Sequence, residues 1–254
     1  MNDLLAQTIS EMTKHVAKAK PGYAKRHRDD PVLYHLRPTS AGITVVSTSP
    51  LQPQMGFAPK VWTDAEHIVW EELTEGPARP TPEKGVQAHL IAIALAAERR
   101  LPAALAPAGC TMHFLVDELV VQDQQGAGGS RRGDILAICE DSNGSIRPAF
   151  IELKSERSSK TIQEQVAFMH AAFWHGPSSQ QRLDALHSFA VEVLGREFPK
   201  WSAASPQSVG VLVWPWTDSP RRQTPVSIQG NSDIETVVVG YREPTYERES
   251  PAAS

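Results

Sequence analysis

Three charged side chains stand among apolar strand residues: Asp134 in Arg132-Gly133-Asp134-Ile135-Leu136-Ala137-Ile138, and Glu152 and Lys154 in Phe150-Ile151-Glu152-Leu153-Lys154. An ionised group loses its hydration on burial and is retained inside a protein when it is paired or bound to a metal. Side chains alternate across a strand, so Glu152 and Lys154 share one face while Ile151 and Leu153 share the other. Two carboxylates brought side by side repel unless a cation lies between them, and an all-oxygen set suits a hard ion such as Mg2+ or Mn2+. A lysine beside that ion puts positive charge where a phosphate or an attacking water would sit. Phosphodiester hydrolysis is the chemistry such a set serves. The competing reading is a structural Asp–Lys or Glu–Lys pair on a half-exposed hairpin, where ion pairs contribute little.

Whether Asp134 and Glu152 meet depends on strand register. Asp134 to Cys139 reads as a strand, Phe150 to Lys154 as the next, and Asp141-Ser142-Asn143-Gly144 between them as a turn, which together give a β-hairpin. A two-residue turn at Asn143-Gly144 would pair position 134 with 153 and put Asp134 on the wrong face. An odd-length loop, or one bulge, pairs it with 152. The odd loop is the expectation.

The pattern Gly133-Asp134, then Glu152-Leu153-Lys154 at the end of the following strand, resembles the PD-(D/E)XK nuclease superfamily, with glycine in place of the proline. The resemblance spans residues 80–215 approximately. It implies an α/β, restriction-endonuclease-like fold: an αβββαβ core with a mixed central sheet flanked by helices, here preceded by an N-terminal α/β extension. It also implies cleavage of DNA, less often RNA, dependent on Mg2+ (or Mn2+). Asp134 and Glu152 would ligate the metal, and Lys154 would orient the water and stabilise charge in the transition state. Members often carry an acidic residue on the helix before the first core strand; Glu83 is the candidate third ligand and Glu98 the weaker alternative. RecB-like branches place a glutamine, followed four residues later by a tyrosine, on the helix after the lysine. Gln165 fits that position, and Met169 stands where the tyrosine would. Stand-alone cores of this kind often belong to bacterial restriction, repair or antiphage defence. A catalytically silent member, serving as a nucleic-acid or protein interaction module within a larger complex, is the alternative. Cutting both strands of a duplex usually calls for two active sites, so a homodimer or a partner subunit is anticipated.

The elements that must position these residues follow from periodicity and punctuation. Thr81-Pro82-Glu83 reads as a helix start, with Thr81 as N-cap and an apolar helix running to Arg99-Arg100. Glutamate in a first turn is also favoured by the helix dipole alone. A strand follows near His113 to Val121. The loop Gln124 to Ser130 is glycine-rich but lacks the lysine and Ser/Thr of a P-loop, so ATP binding is not supported. After Lys154, Ser158, Ser159 and Thr161 offer caps for a helix whose Ile162, Val166, Met169 and Phe173 share a face. His170 and His175 lie at the end of that helix, where histidine is favoured by the dipole. A helix over Leu183 to Leu194, a strand over Val209 to Val213 and an edge strand over Thr236 to Gly240 complete the core. Upstream, a helix from Asp3 to Lys18, a strand at Ile43 to Val46 and a helix opening at Trp62-Thr63-Asp64 precede the proline-rich boundary Gly76 to Pro80. The resulting division is 1–79 extension, 80–242 nuclease-like core, and a disordered tail over 243–254.

Composition agrees with a globular enzyme: 254 residues, 41% hydrophobic and 21% charged. The apolar runs are too short and too interrupted for a membrane span. The N-terminus shows no basic leader followed by an apolar stretch, so a cytoplasmic location is expected. The two cysteines, Cys110 and Cys139, give neither a zinc pattern nor a disulfide framework. A net charge of -4 excludes a broadly basic nucleic-acid coat, so phosphate contacts must be local. Arg131-Arg132, immediately before Asp134, could grip a strand bidentately at the rim of the site. The basic stretch from Lys14 to Arg37 and the pair Arg221-Arg222 are weaker candidates. Trp201, Trp214 and Trp216 could stack on bases, although large aromatics near strand ends are more often core residues.

Overall fold

The computed structural model describes residues 3–14, 33–39, 42–48, 60–62, 82–122, 130–155, 159–216, 231–242 and 245–248. Helix α1 covers residues 4–14, and α2 is Pro82–Ala96, α3 Ser159–Trp174 and α4 Ser179–Leu194. A first sheet contains β1 (Leu33–Thr39), β2 (Gly42–Thr48) and β3 (Lys60–Trp62) in that order. The second, with strands in chain order, contains β4 (Thr111–Gln122), β5 (Ser130–Glu140), β6 (Ile146–Leu153), β7 (Ser208–Pro215), β8 (Ile234–Arg242) and β9 (Thr245–Arg248). β4, β5 and β6 are antiparallel neighbours, β6–β7 and β7–β8 are parallel, and β8–β9 is antiparallel. The chain is thus α/β with a six-stranded mixed sheet flanked by helices.

The central strands are apolar on both sides because both sides are covered. Ile135, Ala137, Cys139, Ile151, Leu153, Val211 and Val213 pack with Val86, Leu90, Ile91 and Ala94 of α2. Leu136, Ile138, Phe150, Leu212 and Trp214 pack with α3 and α4. The helical stripe expected on α3 is real: Ile162, Val166, Met169 and Phe173 are all buried there. α1 belongs to the same layer, burying Leu5, Ile9 and Met12. Asp3 caps it through Ala6 N–H at 3.0 Å and pairs at 2.7 Å with the buried Arg182 of α4. Helix α1 thus packs into the same core as α3 and α4, and the boundary expected at residues 76–80 lies outside the described residues. Among those residues no helix is long and apolar enough to cross a membrane.

Several sequence expectations need correction. α2 ends at Ala96, not Arg100, because Glu98 and Arg99 adopt left-handed backbone at φ 52° and 68° and turn the chain back toward β4. β8 is not an edge strand, since β9 pairs outside it, and Thr245–Arg248 is accordingly ordered strand within the expected disordered tail. Trp62 closes β3 instead of opening a helix. The Thr81 cap, the helix after Trp62, the glycine-rich loop's 124–129 and Arg221-Arg222 lie outside the described residues.

Candidate active site

The hairpin settles the geometry. Glu140 pairs with Ile146 and Ile135 with Ile151, leaving a five-residue loop, 141–145. Asp141 builds it: its Oδ1 accepts from Asn143 N and Ser145 N, both at 2.9 Å, and its own N–H reaches Ser145 O at 2.9 Å. Gly144 supplies the required left-handed residue at φ 78°. The loop is odd, as expected, and the register carried one rung past Ile135–Ile151 sets Asp134 opposite Glu152. Asp134 is fixed there by Leu153 N–H, which donates to its Oδ2 at 2.8 Å.

Glu152 is 1% exposed, and with both carboxyls ionised neither of its oxygens has a hydrogen-bond partner; only a proton on Glu152 lets it bond the neighbouring Asp134 carboxylate. Burial pushes this carboxyl well above the usual carboxylate range, and the charge of Asp134 pushes it further. Asp134 is raised too, mainly by burial, against the opposing pull of Leu153 N–H and of the Lys84 and Lys154 ammonium groups. Lys154 is half-buried, held at the end of β6 by its N–H to Val213 O at 2.9 Å. Its charge acts on both carboxyls, drawing each back toward ionisation. Glu83 lies beside this corner, its Oε1 accepting from Ser155 N at 2.9 Å and Ser155 Oγ at 3.4 Å. It thereby fixes the backbone one residue past Lys154. Glu98 is at the opposite end of α2, highly exposed and 3.7 Å from Arg100.

Gly133 and Met169 lie against one another. A Cβ added at Gly133 would stand 2.8 Å from Met169 Cε, so the methionine side chain occupies the space that glycine leaves. Gln165, one turn earlier on α3, has a buried Oε1 with no hydrogen-bond partner. The arginine pair divides. Arg131 stacks 4.8 Å over the Phe168 ring of α3, whereas Arg132 lies 3.7 Å from Glu118 Oε2. Both remain exposed.

Sequence reasoning missed a polar network on β4. Asp117 and Glu118 interrupt the apolar run of that strand just as Asp134 interrupts β5, and the same argument would have found them. Asp117 is fully buried and paired with Arg37 of β1, whose Nε lies 3.0 Å from each carboxylate oxygen. Arg37 is therefore engaged internally, not in an outward basic patch, whereas Lys14 is exposed and paired on the surface with Glu11. Gln87 of α2 donates to Glu118 Oε1 at 3.0 Å, Asp117 Oδ2 at 3.3 Å and Asp134 O at 2.8 Å. Lys84 bonds Gln87 Oε1 at 2.7 Å, pairs with Glu118 and approaches Asp134 Oδ1 to 3.9 Å.

Other candidates resolve into packing. His170 is buried, with Nδ1 3.0 Å from Ser208 Oγ, which also accepts from Trp174 Nε1 at 2.8 Å. Trp214 is a core residue, and Trp201 donates to Ile146 O at 2.6 Å. Trp216 is half-buried and lines a cleft with Arg242, Thr245 and Glu247.

The carboxylate set fits a hard divalent ion in one specific respect: Glu152 holds two buried, unpartnered oxygens beside a second carboxylate. Among the described residues no three His, Cys, Asp or Glu side chains gather into a preformed cage. The chain matches no protein-family model, no curated protein and no solved structure.

Proposed function

We propose that this chain is a metal-dependent nuclease of PD-(D/E)XK type that hydrolyses DNA phosphodiester bonds. The observation that carries the reading is the Glu152 carboxylate, buried and without a partner opposite Asp134, with Lys154 acting on both. A buried carboxylate left unsatisfied is costly, and metal coordination is the ordinary reason to retain one. The element order α2-β4-β5-β6-α3-β7, with β7 parallel to β6, supports it as the αβββαβ succession of that superfamily.

In this reading Asp134 and Glu152 hold the ion. When bound, the ion polarises a phosphoryl oxygen and lowers the pKa of a coordinated water. Lys154 orients the attacking water and offsets the charge that develops on the phosphate. Glu83 serves as the auxiliary carboxylate, fixing the Lys154 segment through Ser155. Gln165 offers an unpartnered acceptor to the water or to the nucleotide. Arg131 and Arg132 contact backbone phosphates from opposite sides of β5, in keeping with the positioning role of such contacts.

The test is cleavage of plasmid and labelled single-stranded DNA in Mg2+, in Mn2+ and in EDTA, with Lys154→Ala alongside. Metal-dependent products that vanish in the variant are expected. Intact DNA with wild-type protein in both metals would refute the nuclease and favour the interaction-module alternative.

A further inference from the structure

Glu118, Asp134 and Glu152 form one acidic row across three strands. Glu118 and Asp134 stand between the paired rungs Asp117–Ile135 and Leu119–Gly133, and Asp134 stands one rung beyond Ile135–Ile151. The two ends of the row differ. At one, Glu152 is 1% exposed with both oxygens unpartnered. At the other, the Lys84 ammonium sits among three oxygens: Glu118 Oε1 in an ion pair, Gln87 Oε1 at 2.7 Å and Asp134 Oδ1 at 3.9 Å. Asp134 lies between, facing the ammonium with one oxygen while the other accepts from Leu153 N–H.

We propose that the Lys84 ammonium takes the place of a second metal ion, so that the site binds a single divalent cation, between Asp134 and Glu152. This rests on the nuclease reading above. Phosphodiester cleavage builds negative charge at both the attacking and the leaving oxygen, and two-metal sites answer with cations about 4 Å apart sharing a carboxylate. Asp134 occupies the sharing position. A lysine ammonium is a compact point charge on a flexible stem, able to stand in a cation's position and donate to a phosphate oxygen.

The backbone is consistent with a built arrangement. Glu118 holds φ at 54°, a left-handed conformation uncommon for a non-glycine residue, here at a buried position inside a strand, and such strain gathers at functional sites. The turn it creates breaks the strand's alternation, letting Val116 and Leu119 both enter the core layer facing α3. Gln87, buried and bonded to Glu118, Asp117 and the Asp134 carbonyl, then joins α2 to both strands. Glu118 and Gln87 are thus positioning residues for Lys84.

The experiment counts Mn2+ bound to the full chain, by equilibrium dialysis with metal analysis and by loss of the free-ion paramagnetic resonance signal. Wild type, Lys84→Ala and Lys84→Ala/Glu118→Gln are compared, with circular dichroism as the check on folding. The expected result is one ion in wild type, two in Lys84→Ala and one again in the double variant. One ion in Lys84→Ala, or two in wild type, overturns the proposal while leaving the nuclease reading intact. No ion in wild type overturns both.

Discussion

Replacing Glu152 by glutamine should stabilise the metal-free protein while removing its response to metal. Glu152 is 1% exposed, its oxygens are unpartnered and its carboxyl is raised well above 4.5, by burial first and by Asp134 second. The folded chain therefore keeps a proton that the unfolded chain releases above pH 4.5, so stability falls as pH rises from that value toward the folded pKa. The slope is about 1.4 kcal/mol per pH unit for one such group. Leaving a buried acceptor unsatisfied costs roughly 1–3 kcal/mol, and more when it is charged. The amide introduced by Glu152→Gln carries no titrating proton and can donate to Asp134, so at pH 8 in EDTA the variant should exceed wild type by about 2 kcal/mol. For a chain of this size that is roughly 4–8 °C in Tm. The assay is thermal unfolding of both proteins from pH 5 to 8, in EDTA and in Mg2+. The gap should widen with pH in EDTA, and Mg2+ should raise the Tm of wild type alone, since a ligand stabilises only a state that binds it. A variant less stable than wild type at pH 8 in EDTA, or a gap independent of pH, would refute the claim that Glu152 is an uncompensated buried carboxyl.

Gly133→Ala puts a methyl 2.8 Å from Met169 Cε, the flexible end of that side chain, and should cost under about 1 kcal/mol in urea unfolding, falling toward zero in a Met169→Ala background. His170 titrates the other way from Glu152: burial, aided by His175, lowers it from 6.5 to about 4. The unfolded chain then binds the extra proton, and stability is lost as pH falls from 6.5 toward 4, by about 3 kcal/mol in all. His170→Asn should flatten that acid limb, measured as the urea midpoint at pH 5 against pH 7. Arg37→Met removes a cation paired with the fully buried Asp117 and should destabilise by roughly 3–5 kcal/mol; a change below about 1 kcal/mol in urea unfolding would show the pair to be dispensable.

The parts of the site legible in the sequence are those in which a charge interrupts an apolar strand and parity of the intervening loop fixes its face. Asp134, Glu152 and the odd hairpin loop follow from that logic alone, as does the buried stripe of α3, where spacing suffices. Asp117 and Glu118 carry the same signal, but only the paired strand reveals that they stand beside Asp134. Lys84 and Gln87 are invisible for a different reason: polar residues in the first two turns of a helix are ordinary on a solvated face, and only packing of α2 onto β4 buries Gln87 and brings the exposed Lys84 side chain to Glu118. β9 escapes detection because Tyr246 is the only large apolar residue in Thr245–Arg248, and its strand pairing with β8 comes from the backbone. The left-handed residues at Glu98, Arg99 and Glu118 have no glycine to announce them.

The polar network makes the first sheet, α2 and the carboxylate row one mechanical unit. Arg37 from β1 secures Asp117, and Gln87 from α2 bonds Asp117, Glu118 and the Asp134 carbonyl at once. The side chain of Asp134 is fixed from the other direction by Leu153 N–H, and the segment beyond Lys154 by Glu83. Each carboxylate of the row except Glu152 is therefore held by groups from at least one neighbouring element. Precise placement of reacting groups is worth several kcal/mol to a catalyst, and it requires such cross-bracing by rotamer-locked neighbours. The one carboxylate left unbraced is also the most deeply buried of the row, and a ligand that supplies its missing partners would complete it.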